Sequence, residues 1–335
     1  MRVSSRAPAR ISFAGGGTDV SPFCEQHGGC ALNVAISRYA YATLEEADTW
    51  ELISGNYSQR STFDSTGQFG YSGPTALQEA VASHFSGDET KYRVWLDSEV
   101  PPGSGLGSSA SAFAACIGVF NHLQREKRLT DAEVAELAYK LEREKLGIPG
   151  GRQDQYAAVF GGINFVEFKG ADFVRVNPIR LDSAALCELE RDLLLVYLGK
   201  RRDSGKIIEQ QTADYESGKN VDALLRTREL AGEMRYALLR QEFPRFGELL
   251  HEAWLAKKRF TAEVSSDWID EVYEEGRKAG ALGGKLCGAG GGGHMVFYAP
   301  GPAKRSLAQR VSEIGCPAVP FVFDTEGLRT WETDV

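Results

Sequence analysis

At 335 residues the chain is long enough to bury a substantial core without staples or structural metals, and to divide into two ordinary domains. Its 38 basic and 46 acidic residues leave a formal net charge of −8, and no Lys/Arg stripe runs along any expected helix, so nucleic acid is excluded as an expected partner. Six scattered cysteines lack the paired spacing of a zinc site or disulfide framework, and no window reaches the roughly 18 apolar residues of a membrane span; a cytoplasmic protein without a membrane partner is expected.

Strand-like and helix-like periodicities alternate from end to end, which predicts a mixed α/β (α+β) protein. Arg10 to Phe13 reads as a short strand cut off by Gly15-Gly16-Gly17, and Cys30 to Leu44 as a second strand. Tyr92, Val94 and Leu96 share one face of a third, which Pro101-Pro102-Gly103 ends. Phe113, Cys116, Ile117, Phe120 and Leu123 then recur at helical spacing. Thr130 and Glu133 form a capping box for a second helix expected to run to Leu146, stopped by Gly147 and Pro149. A strand is expected at Leu193 to Leu198, helices at Val221 to Arg240, Pro244 to Phe260 and Asp267 to Lys278, and a strand at His294 to Tyr298. A helix near Lys304 to Ile314 and a strand at Pro320 to Phe323 complete the list, with domains expected at residues 1–185 and 186–335.

The run Pro101 to Ser109 carries the strongest chemical signal. Small residues at a strand-to-helix junction let successive backbone N–H groups converge on one point, and such a nest binds anions. It is not a Walker A loop, because Gly107 is followed by Ser108 and Ser109 rather than by Lys and Ser/Thr. Nor do its paired prolines and serines suit a dinucleotide-binding fingerprint.

Three separated motifs resemble those of the GHMP kinases. RAPAR (Arg6 to Arg10) through Gly15-Gly16-Gly17-Thr18-Asp19 is similar to the family's substrate motif, PPGSGLGSSA (Pro101 to Ala110) to its ATP loop, and KLCGAGGGGH (Lys285 to His294) to its C-terminal glycine loop. Within the family, AGGGTDVSPF, His27-Gly28-Gly29 and Gly151-Arg152-Gln153-Asp154-Gln155-Tyr156 most resemble the heptose 7-phosphate kinases, with fucokinase-like domains nearby. The resemblance implies a two-domain GHMP kinase fold, with an N-terminal ATP-loop domain and a ferredoxin-like α+β C-terminal domain. It also implies phosphoryl transfer from ATP, with magnesium, to a sugar hydroxyl, the anomeric one of D-glycero-D-manno-heptose 7-phosphate. A kinase for an unphosphorylated sugar such as fucose, a sugar/ATP-binding sensor without turnover, and a non-kinase member that decarboxylates after phosphorylation are the alternatives.

Roles follow from the same resemblance. Asp154 is the implied base or hydroxyl-orienting carboxylate, and Arg10 the basic residue beside it. Pro102, Gly103, Ser104, Gly105, Leu106, Gly107, Ser108 and Ser109 would bind the nucleotide. Ser109 and Glu144 match the magnesium pair, Glu144 by its place three residues after Leu141 on the expected helix, with Glu142 the alternative on the same turn. Gly16, Gly17, Thr18 and Asp19, together with Gly290 and Gly291, would meet the sugar and the transferring phosphate. Among the cations Lys200, Arg201, Arg202 and Lys206, Arg202 is placed first as an anchor for a phosphate on the substrate, whereas His294 is read as a strand residue.

Overall fold

The structure is a computed structural model and describes residues 1–85, 90–124, 126–199 and 203–334. In chain order it begins with β1 (Arg2–Ala14), α1 (Phe23–His27), β2 (Gly29–Ala47), β3 (Trp50–Ser54), β4 (Gln59–Phe63), α2 (Ala76–Phe85), β5 (Lys91–Ser98) and α3 (Ser108–Leu123). There follow α4 (Asp131–Lys140), one π-helical turn (Leu141–Lys145), α5 (Gln153–Phe160), β6 (Ile163–Lys169), β7 (Phe173–Pro178) and α6 (Ser183–Asp192). The last part holds β8 (Leu193–Tyr197), α7 (Ser204–Glu216), α8 (Val221–Leu239), α9 (Phe243–Lys257), α10 (Asp267–Lys278), β9 (Gly283–Leu286), β10 (His294–Tyr298), α11 (Ala303–Glu313) and β11 (Arg329–Thr333).

One sheet runs in the order β11-β1-β2-β5-β3-β4, with β6 pairing β2 and β7 beyond it. The helix α3 lies on this sheet, buried along almost its whole length, and its small residues Ala110, Ala112, Ala114, Ala115 and Gly118 let it approach closely. Two hydroxyls fasten it to β1: Ser5 Oγ donates to Ala115 O at 2.6 Å and Ser111 Oγ to Pro8 O at 2.8 Å. Val94, Phe113, Ile117, Phe120, Val134 and Tyr156 fill the core between the sheet and α2 to α5.

The second sheet, β8-β10-β9, is antiparallel, and residues 317 to 319 add a further edge through Tyr197 N to Pro317 O and Val319 N to Leu195 O. That gives four extended segments in the α+β part. A shared core joins the two sheets, in which Ile11, Phe13 and Val34 pack with Leu195, Phe246 and Val296. The rings of Phe13 and Phe246 meet edge to face with centroids 5.1 Å apart.

Most expected elements are present, the first three strands longer than expected and the later elements within about three residues of their expected ends, and two differences matter. The second expected helix keeps its capping box at Thr130 and Glu133 but leaves α geometry at Leu141. Pro320 to Phe323 makes only an isolated bridge, Ile36 to Phe323, while the true terminal strand is β11, which returns to pair with β1. The region around residue 185, where the two domains are expected to meet within about ten residues either way, holds α6.

Candidate functional site

The strand β1 delivers the first chemical group. Arg10 pairs in register with Ala35 of β2, its backbone N–H donates to Leu106 O at 2.9 Å, and its guanidinium is buried. That guanidinium grips Asp154 with both arms of its fork, Nε to Oδ1 and Nη2 to Oδ2 at 2.8 Å each, while Nη1 donates to Gly105 O at 2.6 Å. Asp154 stands in the first turn of α5, where a carboxylate is favoured by the helix dipole, and its side chain keeps 22% exposure toward a cleft that Gly16, Asp19 and Gly105 also line.

The glycine-rich loop ahead of α3 forms another wall of that cleft. Gly103, Gly105 and Gly107 all take positive φ, of 82°, 87° and 75°, and Gly107 caps α3 without any side-chain hydrogen bond. Gly103, Gly105, Gly107, Ser108 and Ser109 line the cleft, with the uncapped N-terminus of a 16-residue helix at its edge. At Gly105 a Cβ would lie 2.7 Å from Cys287 O, so the loop meets the C-terminal glycine run backbone against backbone. The side chains of Ser104 and Leu106 are buried away from the cleft, so only their backbone belongs to the loop's surface, and Pro102 lines the adjoining pocket that shares Gly103, Ser108 and Ser109. Ser104 O instead accepts from His294 N and contacts His294 Nδ1 at 2.8 Å, which makes His294 a strand residue that secures the loop.

Asp19 reaches the cleft from the loop after β1. It accepts from Gly17 N and from Gln153 N, at 3.0 Å each, and Gln153 Nε2 lies 3.4 Å away. Burial pushes its carboxyl up, the Gln153 amide opposes this, and the nearby Asp154 charge adds to the rise. Gly16 and Gly17 line the cleft beside it. Thr18 does not, because its hydroxyl is spent on Gly15 O and Cys30 O, closing the loop onto β2.

The metal candidates divide. Ser109 lines the cleft, whereas Glu144 is exposed and outside it; Glu142 is buried there instead, accepting from Gln155 Nε2 at 2.6 Å with Arg143 Nη1 at 3.5 Å. Glu142 follows the buried Ala138 by four residues and so continues the inner face of α4, whereas the π turn, in which Leu146 N bonds to Leu141 O five residues back, carries Glu144 outward.

On the C-terminal side, Gly288 and Ala289 line the cleft, while Gly290 and Gly291 pack on Val264, with Gly291 N donating to Val264 O at 2.9 Å. Arg202, Lys200 and Arg201 lie outside the described residues; Lys206 is exposed, and Ser204 at the start of α7 lines the cleft. Sequence reasoning passed over Gln153, which ties Ser12 Oγ to Asp19, and over Lys257, a buried lysine facing the cleft from the end of α9. It also passed over an adjoining pocket that shares Gly103, Ser108 and Ser109 and is walled by Tyr57, Pro74, Leu77, Leu96 and Leu146.

Residues 75–162 match the GHMP kinases N terminal domain and residues 234–315 the GHMP kinases C terminal family. The chain is 32% identical, over 98% of both chains, to the D-glycero-alpha-D-manno-heptose 7-phosphate kinase of Campylobacter jejuni. It is 26% identical to the bifunctional fucokinase/GDP-fucose pyrophosphorylase of Arabidopsis thaliana, over 93% of this chain and 31% of that longer protein. The crystal structure of a D-glycero-D-manno-heptose 1-phosphate kinase from Bacteroides thetaiotaomicron superposes with a TM-score of 0.83 at 30% identity, covering 99% of this chain and 100% of the other. Together with a cleft built from all three glycine motifs, these matches establish that the chain belongs to the GHMP kinase family, as an ATP-dependent sugar kinase.

Proposed function

We propose that the enzyme transfers the γ-phosphoryl group of ATP to the anomeric hydroxyl of D-glycero-D-manno-heptose 7-phosphate, giving the 1,7-bisphosphate. The observation that carries this reading is the bidentate Arg10–Asp154 pair, which faces the same cleft as the uncapped start of α3. Phosphoryl transfer asks the protein mainly to align an acceptor hydroxyl and to stabilise spreading negative charge. Asp154 accepts the hydroxyl proton, and the two-armed grip of Arg10 holds the carboxylate in place. Asp19, held by two backbone amides, accepts hydrogen bonds from sugar hydroxyls beside it.

The amides from Gly103 to Ser109 cradle the phosphates, and the adjoining apolar pocket takes the nucleoside. The hydroxyl of Ser109 and the carboxylate of Glu142 are hard oxygen donors on the cleft wall, a set that suits magnesium. Bound with the nucleotide, the ion would supply neutralisation of phosphate charge. Residues 186–335 close the cleft from the other side through the Gly288 loop. Arg202 is the proposed anchor for the 7-phosphate.

The acceptor is tested by incubating the enzyme with ATP and heptose 7-phosphate, heptose 1-phosphate, fucose, galactose or mannose, and reading the new phosphate by phosphorus NMR. Heptose 7-phosphate is expected to have the highest kcat/KM and to yield an anomeric phosphate. Preference for fucose, the reading that the fucokinase relative favours, would overturn the acceptor and leave the kinase assignment standing.

A further inference from the structure

The cleft contains a second buried basic side chain that the reaction scheme does not use. Lys257, the last residue of α9, lines it beside Gly288 and Ala289 and is only 3% exposed. Its Nζ donates to Gly288 O and lies 3.4 Å from Leu286 O. Both acceptors are neutral, and Lys257 forms no ion pair with any carboxylate among the described residues. An uncompensated ammonium in such a place is costly, so the amine is held well below its ordinary value, first by burial and second by the neighbouring Lys285.

The other groups facing it do not supply a counter-charge. Arg10 on β1 adds repulsion. Cys287, after β9, is itself pushed up by burial and stays a neutral thiol. Asp19 attracts weakly, and its oxygens are already taken by the Gly17 and Gln153 amides. Lys285 is turned away from the cleft, with Nζ donating to Ser12 O at 3.1 Å. An anion entering the cleft is therefore the missing partner for Lys257, and the phosphate tail of a nucleotide brings one.

We propose that Lys257 is a phosphate-facing residue of the cleft that binds a proton together with the nucleotide's phosphate tail and sets its ammonium against the phosphoryl group in transfer. The proton comes from solvent, one N–H bond forms, and no other covalent change is involved. The proposal rests on the kinase reading of the cleft. It adds a charge that appears only when the phosphate does, whereas an arginine would carry its charge always.

Calorimetric titration of the full chain with magnesium and the nonhydrolysable analogue AMPPNP, in buffers of different ionisation enthalpy from neutral to alkaline pH, reads the protons taken up on binding. Wild type is expected to take up close to one proton more than Lys257→Gln at the alkaline end. Glutamine keeps a donor for Gly288 O, so the variant is expected to melt near wild type while kcat falls about 10²-fold, the scale for losing one group aimed at developing charge. Equal proton uptake by the two proteins with binding intact, or wild-type kcat in Lys257→Gln, would make Lys257 a tether for the glycine loop and overturn the proposal. Zero uptake by wild type overturns it even if the variant fails to fold. Failure of wild type to bind the analogue at all would instead remove the nucleotide from the cleft and take both readings with it.

Discussion

The two cations of the cleft are held in opposite ways. Arg10, on β1, is locked to Asp154 and to Gly105 O before any ligand arrives, while Lys257, on α9, meets only carbonyl oxygens. The first arrangement fixes geometry and the second leaves charge adjustable. A site that must orient a sugar hydroxyl and then accept a highly charged phosphate has use for both.

Removing the fixed half should have the largest effect. Asp154→Asn keeps the size and one acceptor of the side chain but removes the proton acceptor and leaves the buried Arg10 without a counter-charge. Turnover is expected to fall about 10³-fold, within the range for a lost general base, with binding of an ATP analogue nearly unchanged. Steady-state kinetics beside equilibrium binding check this, and near-wild-type kcat would strip Asp154 of its role.

Much of the fixed half was legible before any coordinates, and the reason is local. Glycines with positive φ at a strand-to-helix junction leave a mark in sequence, so the loop at Gly103 to Gly107 could be read directly. The contact between Arg10 and Asp154 spans 144 residues and follows from no spacing rule; only the motif resemblance suggested it. The adjustable half was hidden for a different reason. Lys257 precedes Lys258, and a lysine pair at a helix end reads as a solvated terminus, whereas here Lys258 pairs with Asp270 and Lys257 turns inward. The strand β11 was missed because its residues are mostly exposed and its pairing with β1 closes a loop of more than 300 residues. Motif membership does not say which atoms face a ligand: the Leu106 side chain fills the core, and the Thr18 hydroxyl clamps its own loop.

The glutamates of the π turn test how far side-chain register governs the cleft. Glu142→Gln is expected to weaken the apparent magnesium affinity by on the order of 10- to 100-fold, read from the metal dependence of turnover. Glu144→Gln, on the exposed side of the same turn, should lie close to wild type. The reverse outcome would take the metal from Glu142 and give it to Glu144.

The smallest effect concerns Lys285, the buried amine that is turned away from the cleft. Burial, with Arg10 adding repulsion, lowers it from 10.5 to about 8. Above the folded value the unfolded chain holds the proton while the native protein has released it, so stability contributed by this group rises with pH from about 8 toward 10.5. Below about 8 both states are protonated and the native fold bears the full penalty. Lys285→Met removes that penalty and loses the bonds to Ser12 O and Leu286 O. Relative to wild type, the variant should therefore fare best near neutral pH and lose roughly 2–4 °C of that relative standing as the pH climbs past the folded value. Melting curves of the two proteins across this interval supply the measurement. Parallel curves would mean that Lys285 titrates alike in the folded and unfolded chain, so that burial alone does not make a lysine adjustable and the contrast between the two cations of the cleft would lose its physical basis.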